Sequence, residues 1–134
     1  MDAVTNPNGV VEVVEVTRKL AITRDMIETV LVNGIEGGIA YWCSCIETEL
    51  KDGTQMRAGK TKDTPLSVWI TELVLDGKEV GFNDGDDITY LHIDRLVSSF
   101  KEHATTHSRD IEDYDADDAD AIIQRALYGS VVFG

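Results

Sequence analysis

Hydrophobic residues in the first third of the chain follow two patterns. Residues 10–17 are dense in valine, and β-branched side chains favour a strand there. A second short strand is predicted over residues 20–22. From Thr23 onward the apolar residues recur at helical spacing, which predicts a helix with Thr23 as its N-cap. We expect this helix to end at Asn33-Gly34 or at Gly37-Gly38, where glycine can take the left-handed conformation.

The middle of the chain shows both strand-like patterns and helical spacing of its apolar residues. Residues 39–50 are predicted to form a strand with Trp42, Ile46 and Leu50 on one face, followed by a turn at 51–53. Residues 54–64 are polar and are interpreted as a hairpin return that leads into an exposed loop. Residues 66–75 fit both a helix and a strand. We favour the strand, because β-branched and aromatic residues lie together at 68–71.

The last third contains the clearest helical pattern. Apolar residues from Ala119 to Leu127 lie on one face of a helix that Gly129 ends. An earlier helix is predicted from Ile93 and is expected to fray after His103. The remaining predictions are a turn at 76–77, a strand at 79–82, a loop at 83–87, a strand at 88–91, a polar linker at 104–114 and a strand at 130–133.

These elements predict an α+β fold with a largely antiparallel sheet and about three helices. The length of 134 residues suits one compact domain over residues 1–134, with residues 1–9 expected to be flexible. The hydrophobic fraction of 43% is enough for a packed core.

Charge changes this picture by excluding partners. The chain has 25 acidic and 12 basic residues, so its net charge is −13. A nucleic acid backbone or an anionic membrane requires clustered lysine and arginine, so we expect the protein to bind neither directly. No secretory signal or membrane-spanning stretch is recognisable, and two cysteines two residues apart rarely form a disulfide. These features predict a cytoplasmic location.

The acidity is confined to two segments. Residues 109–120 carry a net −6 and residues 72–87 a net −5, which together account for −11 of the −13. The predicted partner-binding residues are the acids of these segments: Asp110, Glu112, Asp113, Asp115, Asp117, Asp118 and Asp120, with Glu72, Asp76, Glu79, Asp84, Asp86 and Asp87.

Two interpretations of these acids stay open. Regularly placed carboxylates can imitate phosphates and occupy the nucleic-acid groove of a basic protein. Alternatively, Asp115 is an N-cap, and Asp117 and Asp118 lie in a first helical turn, where the helix dipole favours anions. In that case the acids serve capping and solvation only.

The sequence does not predict a metal site, although two sets of residues partly match one. Asp113, Asp115 and Asp117 match the first three ligands of an EF-hand loop, but Asp118 occupies the required glycine position and Gln124 the bidentate glutamate position. A zinc set is conceivable from two cysteines and two histidines, yet the cysteine spacing is too short. The alternative is that the cysteines are small buried thiols and the histidines face solvent. The four residues concerned are Cys43, Cys45, His103 and His107.

The sequence predicts no catalytic residue and no cofactor. Cys43 or Cys45 with His92 would make a thiol–imidazole pair, but nothing in the sequence brings these residues together. A small-ligand module, for instance one that sequesters a nucleotide signal, would need a basic pocket. The available cluster for it is Arg57, Lys60 and Lys62. A further alternative is a homo-oligomeric assembly protein that pairs through the terminal strand 130–133.

Two stretches carry a resemblance. They are GGIAYWC, Gly37 to Cys43, and DADDADAIIQRALYGSVVFG, Asp115 to Gly134. Together they resemble a group of small bacteriophage-encoded proteins with a similar order of helix, glycine pair, aromatic strand, variable middle, and aspartate-capped helix before a short strand. The resemblance covers both ends of the chain and little of the middle. It implies a phage origin and action in the host cytoplasm, and it carries over no functional residues.

The sequence therefore predicts a non-enzymatic acidic phage accessory protein. Such a protein would bind and inhibit a host or defence protein that has a basic surface, through faces that can imitate nucleic acid.

Overall fold

The computed structural model describes residues 9–15, 17, 19–107 and 109–134. The flexibility predicted for residues 1–9 falls on residues outside this set, apart from Gly9. The helices are α1 (Arg24–Asn33), which continues into a π-helical turn (Gly34–Gly38), α2 (Leu66–Leu75), α3 (Ile93–Thr106), a 3₁₀ turn (Ile111–Asp113) and α4 (Ala116–Tyr128). The strands are β1 (Cys45–Ile46), β2 (Val80–Asn83) and β3 (Ile88–Leu91).

The three strands form one antiparallel sheet in the order β1-β2-β3. Strand β2 is central: Ile46 of β1 and Thr89 of β3 both pair with Phe82. Phe82 and Leu91 are fully buried on the face that meets the helices. The prediction of an α+β fold with an antiparallel sheet is thus confirmed, and the four α-helices of the described residues are close to the predicted number of about three.

The extra helix is α2, so the strand favoured for residues 66–75 is wrong. Its buried residues are Ser67, Ile70, Thr71 and Val74, a single helical stripe. Burial of this stripe against α1 and β2 outweighs the strand preference of the β-branched residues.

Helix α1 confirms the prediction of its start. The Thr23 side chain accepts a hydrogen bond from the Met26 backbone nitrogen at 3.2 Å. The α-helix ends at Asn33, one of the two predicted ends, but Gly34 is right-handed helical, with φ −64°, and not left-handed. A Cβ on Gly38 would lie 2.5 Å from the Ala116 carbonyl oxygen, and one on Gly34 would overlap Ile123. Glycine is needed at Gly38 because the backbone of α4 packs directly on this turn, whereas at Gly34 only the terminal methyl group of Ile123 would have to move.

The valine-rich N-terminal segment does not form the predicted strand. Its described residues, 9–15 and 17, have no regular structure, and neither do residues 20–22. Val11, Val13 and Val14 are 63%, 80% and 72% exposed. A high strand preference requires a neighbouring strand to pair with, and the described sheet provides none for this segment.

Two further predicted strands are shortened or absent. Within residues 39–50 only β1 and an isolated bridge between Glu49 and Gln55 are extended and paired. The segment still keeps the predicted buried face, because Trp42 and Leu50 are buried while Tyr41 is 59% exposed. Residues 130–133 are irregular, so the predicted terminal strand is also absent.

The remaining segments agree more closely with the sequence. Gly129 ends α4, which confirms the predicted helix end, and it does so in the left-handed conformation, with φ 83°. Helix α3 extends to Thr106, three residues beyond the predicted fraying point. A single hydrophobic cluster joins α1, α2, β2, β3, α3 and α4. No helix among the described residues combines the length and hydrophobicity needed to cross a membrane.

Candidate acidic binding surface

The acids of residues 110–120 divide into an exposed and a buried group. The exposed group, here called the 110–117 patch, comprises Asp110, Glu112, Asp113, Asp115 and Asp117. Asp118 is 3% and Asp120 is 8% exposed. Both were predicted to contact a partner, but their carboxylates point into internal hydrogen-bond networks and do not belong to the surface.

The 110–117 patch is held in place by its own backbone and two buried anchors. Ile111 and Tyr114 are buried at either end of the 3₁₀ turn. Asp115 caps α4 through a bond from the Asp118 backbone nitrogen at 3.0 Å, and the Asp118 side chain accepts from the Asp115 backbone nitrogen at 3.0 Å. This reciprocal capping box confirms the predicted N-cap. The bond from the Asp118 backbone N–H holds the pKa of Asp115 below its usual range, with Arg109 adding to the effect.

Asp118 links three parts of the chain. Its Oδ1 accepts from Arg109 Nη2 at 2.8 Å and from His103 Nε2 at 2.9 Å. The other imidazole nitrogen, Nδ1, lies 2.9 Å from Arg125 Nη1. Since an arginine can only donate, Nδ1 is the acceptor, and Nε2 carries the hydrogen that is donated to Asp118. His103 is therefore held as the neutral tautomer.

The position of His103 corrects the expectation that this residue faces solvent. It is 1% exposed, and its ring stacks on His107 with 3.8 Å between ring centroids. Burial lowers the pKa of His103, and the bond to Asp118 opposes that shift only in part. Among the described residues no group of three or more histidine, cysteine or acidic side chains could hold a metal ion, so the zinc and calcium alternatives gain no support.

Asp120 lies in a network without cationic partners. Its carboxylate accepts from the Tyr41 hydroxyl at 2.5 Å, from Trp42 Nε1 at 2.7 Å and from Gln124 Nε2 at 2.9 Å. The Gln124 carbonyl oxygen accepts from the backbone nitrogens of Val132 and Phe133, each at 2.8 Å. These bonds attach the chain before β1 and the last residues to α4. The Asp120 carboxylate is thus structural.

The acids of residues 72–87 are also divided. Asp76 lies 3.5 Å from Arg24 and Glu79 lies 3.8 Å from Lys51, both in surface ion pairs. Asp84 accepts from the backbone nitrogens of Asp86 and Asp87, at 2.9 and 2.8 Å. The exposed acids of this segment that have no ion pair or side-chain hydrogen bond among the described residues are Glu72, Asp86 and Asp87.

The two acidic segments occupy opposite ends of α4. Asp115 caps the start of the helix, while the Tyr128 hydroxyl at its end donates to Asp84 at 3.2 Å. A helix of 13 residues is roughly 20 Å long at 1.5 Å per residue. The acids therefore form two separate patches rather than one continuous face.

Helix α1 adds acids that the sequence analysis missed. A groove of about 420 Å³ separates α1 from the 3₁₀ turn, and Asp25 and Glu112 line it. A second groove, of about 530 Å³, lies on the α2 side of α1 and includes Asp25, Glu28 and Val68. Neither groove is lined by a lysine or arginine. Acids near the start of a helix are ordinarily attributed to its dipole, so only the position of α1 across the groove from the 3₁₀ turn reveals this site.

The other predicted sites are less well formed. Arg57 and Lys62 are exposed and Lys60 donates to the Thr61 carbonyl oxygen at 2.9 Å, all on turns; none of them lines the grooves described here. Burial raises the pKa of Cys43 to about 11, which keeps the thiol protonated near neutral pH and does not favour it as a nucleophile.

Comparisons with protein-family models, with curated proteins and with solved structures gave no significant match to this chain.

Proposed function

We propose that this protein is a non-enzymatic acidic binding protein that occupies the basic surface of another protein. The observation that carries the proposal is the 110–117 patch beside α1: five exposed acids on a fixed support, next to grooves that contain acids and no bases. A partner with clustered arginine or lysine would be attracted over long range and held by charge-assisted hydrogen bonds.

The resemblance of both chain ends to bacteriophage-encoded proteins supports a host or defence protein as the partner, bound in the host cytoplasm. Occupying a nucleic-acid groove would inhibit such a partner, since the carboxylates would take the place of phosphates. Arg57, Lys60 and Lys62, the alternative small-ligand cluster, line neither of the two grooves beside α1.

The support beneath the patch is the second argument for binding. A solvating acid needs no fixed position, whereas the chain that carries these acids is fixed by Ile111, Tyr114 and the capping box. A fixed arrangement loses less conformational entropy when it meets a complementary surface. Capping accounts for Asp115, but Asp110, Glu112 and Asp113 make no side-chain hydrogen bond among the described residues.

A matched pair of variants tests the proposal. The patch variant carries Asp110→Asn, Glu112→Gln and Asp113→Asn, and the control variant carries Glu72→Gln, Asp86→Asn and Asp87→Asn. Each removes three negative charges from exposed side chains that make no side-chain hydrogen bond in the described structure. Wild type and both variants are immobilised and exposed to bacterial lysate at 50 and 300 mM salt, and the captured proteins are identified and then purified.

We expect the patch variant to lose affinity for a purified basic partner by roughly tenfold or more, and the control variant by less than threefold. Double-stranded DNA is expected to compete with the wild-type protein for that partner. Equal losses in both variants, or capture that salt does not weaken, would contradict the proposed surface.

A further inference from the structure

The two grooves beside α1 share one row of residues. Asp25, Thr29 and Asn33 line both of them, and their spacing of four places them in one stripe along the helix. This stripe, here called the α1 ridge, therefore separates the grooves. Thr29 is exposed at its middle, so a chain that crosses α1 would pass over it.

The lining of each groove matches a cation on an apolar stem. Beyond the ridge, the first groove has Met26, Val30 and Ile111 as apolar lining, Tyr114 as an aromatic lining residue and Glu112 as an acid. The second has Val32 and Val68 with Glu28. Carboxylates beside apolar surface favour a side chain with a long aliphatic stem and a charged end.

Arginine fits these grooves better than lysine. Its planar guanidinium can bind one carboxylate through two parallel hydrogen bonds. Lysine offers a compact, strongly hydrated charge. The volumes of about 420 and 530 Å³ leave room for an arginine side chain in each groove.

We infer that the partner contributes an arginine-containing segment that crosses the α1 ridge and places one arginine in each groove. The inference rests on the proposed function, and it specifies arginine as the residue by which the partner is held. An α-helix is about 10 Å wide. In a polyproline-II segment, residues three apart lie on one face and about 9 Å apart, which matches that width. Arginines three residues apart are therefore the recognised pattern.

Peptides of equal length and charge test this pattern directly. The first has two arginines three residues apart, the second has two lysines at the same positions, and the third has its two arginines adjacent. Binding is measured by titration calorimetry at 50 mM salt. We expect the spaced arginine peptide to bind roughly tenfold more tightly than either of the others, a difference of about 1.4 kcal/mol.

Thr29→Arg blocks the site, because it places the protein's own cation on the α1 ridge. Thr48→Arg is the matched control: the same substitution at an exposed position of the loop after β1, which lines neither groove. Circular dichroism and the thermal midpoint verify that both variants fold. We expect Thr29→Arg to weaken the spaced arginine peptide roughly tenfold and Thr48→Arg less than threefold.

The outcomes separate this inference from the proposed function. If the three peptides bind equally, or if both arginine variants weaken binding equally, the anchor in the grooves is wrong while an acidic binding surface is retained. If none of the peptides binds and the patch variant also captures the same proteins as wild type, the proposed function fails as well.

Discussion

Asp118 and Asp120 are two buried aspartates on α4, two residues apart, and they are held in opposite ways. Asp118 accepts from a cation, Arg109, and from His103. Asp120 accepts only from neutral donors, supplied by Tyr41, Trp42 and Gln124. Their exposures are nearly equal, at 3% and 8%, so burial alone does not distinguish them.

The difference lies in what each carboxylate does for the fold. Asp118 joins α3 and α4 beneath the 110–117 patch, and its partner His103 can gain a proton. Asp120 joins two distant segments to α4 and has no partner that titrates near neutral pH. The sequence groups both acids with the surface. In the structure, Asp118 belongs to a pH-sensitive support of the 110–117 patch, whereas Asp120 only attaches two segments to α4.

Removing the Asp120 carboxylate is expected to have the largest effect. Asp120→Ala leaves the Trp42 indole N–H without an acceptor in a buried site, which costs about 1–3 kcal/mol. It also removes the acceptor of the Tyr41 hydroxyl and one of three acceptors of the Gln124 amide, which keeps the Tyr41 hydroxyl and the Phe133 carbonyl oxygen at 3.1 and 3.3 Å. We expect the free energy of unfolding to fall by about 3 kcal/mol. Urea denaturation measures it. A loss below about 1 kcal/mol would mean that water or another group replaces the carboxylate.

Asparagine substitutions compare the two sites at nearly constant shape. In Asp120→Asn the amide can donate to the Tyr41 hydroxyl, which can in turn donate to the Phe133 carbonyl oxygen 3.3 Å away. In Asp118→Asn the charge opposite Arg109 is lost, and an amide nitrogen faces another donor. We expect losses of about 1 kcal/mol for Asp120→Asn and about 2 kcal/mol for Asp118→Asn. The reverse order in urea denaturation would refute the assignment of a charge-dependent site.

Acidification is expected to affect the Asp118 site through His103. Burial lowers the pKa of His103 in the folded protein below its ordinary value of 6.5. Below pH 6.5 the unfolded chain therefore binds more protons, and the free energy of unfolding falls as the pH decreases toward the folded pKa. His103→Gln keeps a donor for Asp118 but cannot titrate, so its stability curve between pH 7 and 5 is expected to be flatter than that of the wild type. Parallel curves would contradict the prediction.

The smallest effect is expected at Tyr114. Its hydroxyl is buried and has no hydrogen-bond partner among the described residues, although its ring packs edge-on against His103 at 5.0 Å. Tyr114→Phe removes the unpaired hydroxyl and keeps the ring, so we expect a change between zero and about 1 kcal/mol of added stability. The thermal midpoint reports it. A loss of more than 1 kcal/mol would mean that the Tyr114 hydroxyl makes a hydrogen bond to water or to a residue other than the described ones.

Local features of the fold were predictable where the deciding residues are close in sequence. Thr23 and Asp115 were recognisable as N-caps, and Gly129 as a helix end, because each acts on its own helix within a few residues. Residues 66–75 were not, because their helix depends on burial against α1 and β2. The strand predicted for residues 10–17 was wrong for a related reason, because a strand needs a neighbouring strand to pair with.

The candidate site was predictable in part. Its exposed acids near Asp113 were evident from the count of charges alone. The sequence could not separate Asp118 and Asp120 from them, since the donors that bury these two lie up to 79 residues away, at Tyr41. Nor could it indicate Asp25, whose place in the grooves depends on how α1 meets the 3₁₀ turn.

The sequence by itself determined the fold class, the two short strands that form β2 and β3, and the location of the charge, because composition, turns and caps act locally. The tertiary structure decided which of the acids face solvent, why residue 38 must be glycine, and where acid-lined grooves form beside α1. These properties depend on contacts between residues far apart in the chain, which no local pattern encodes.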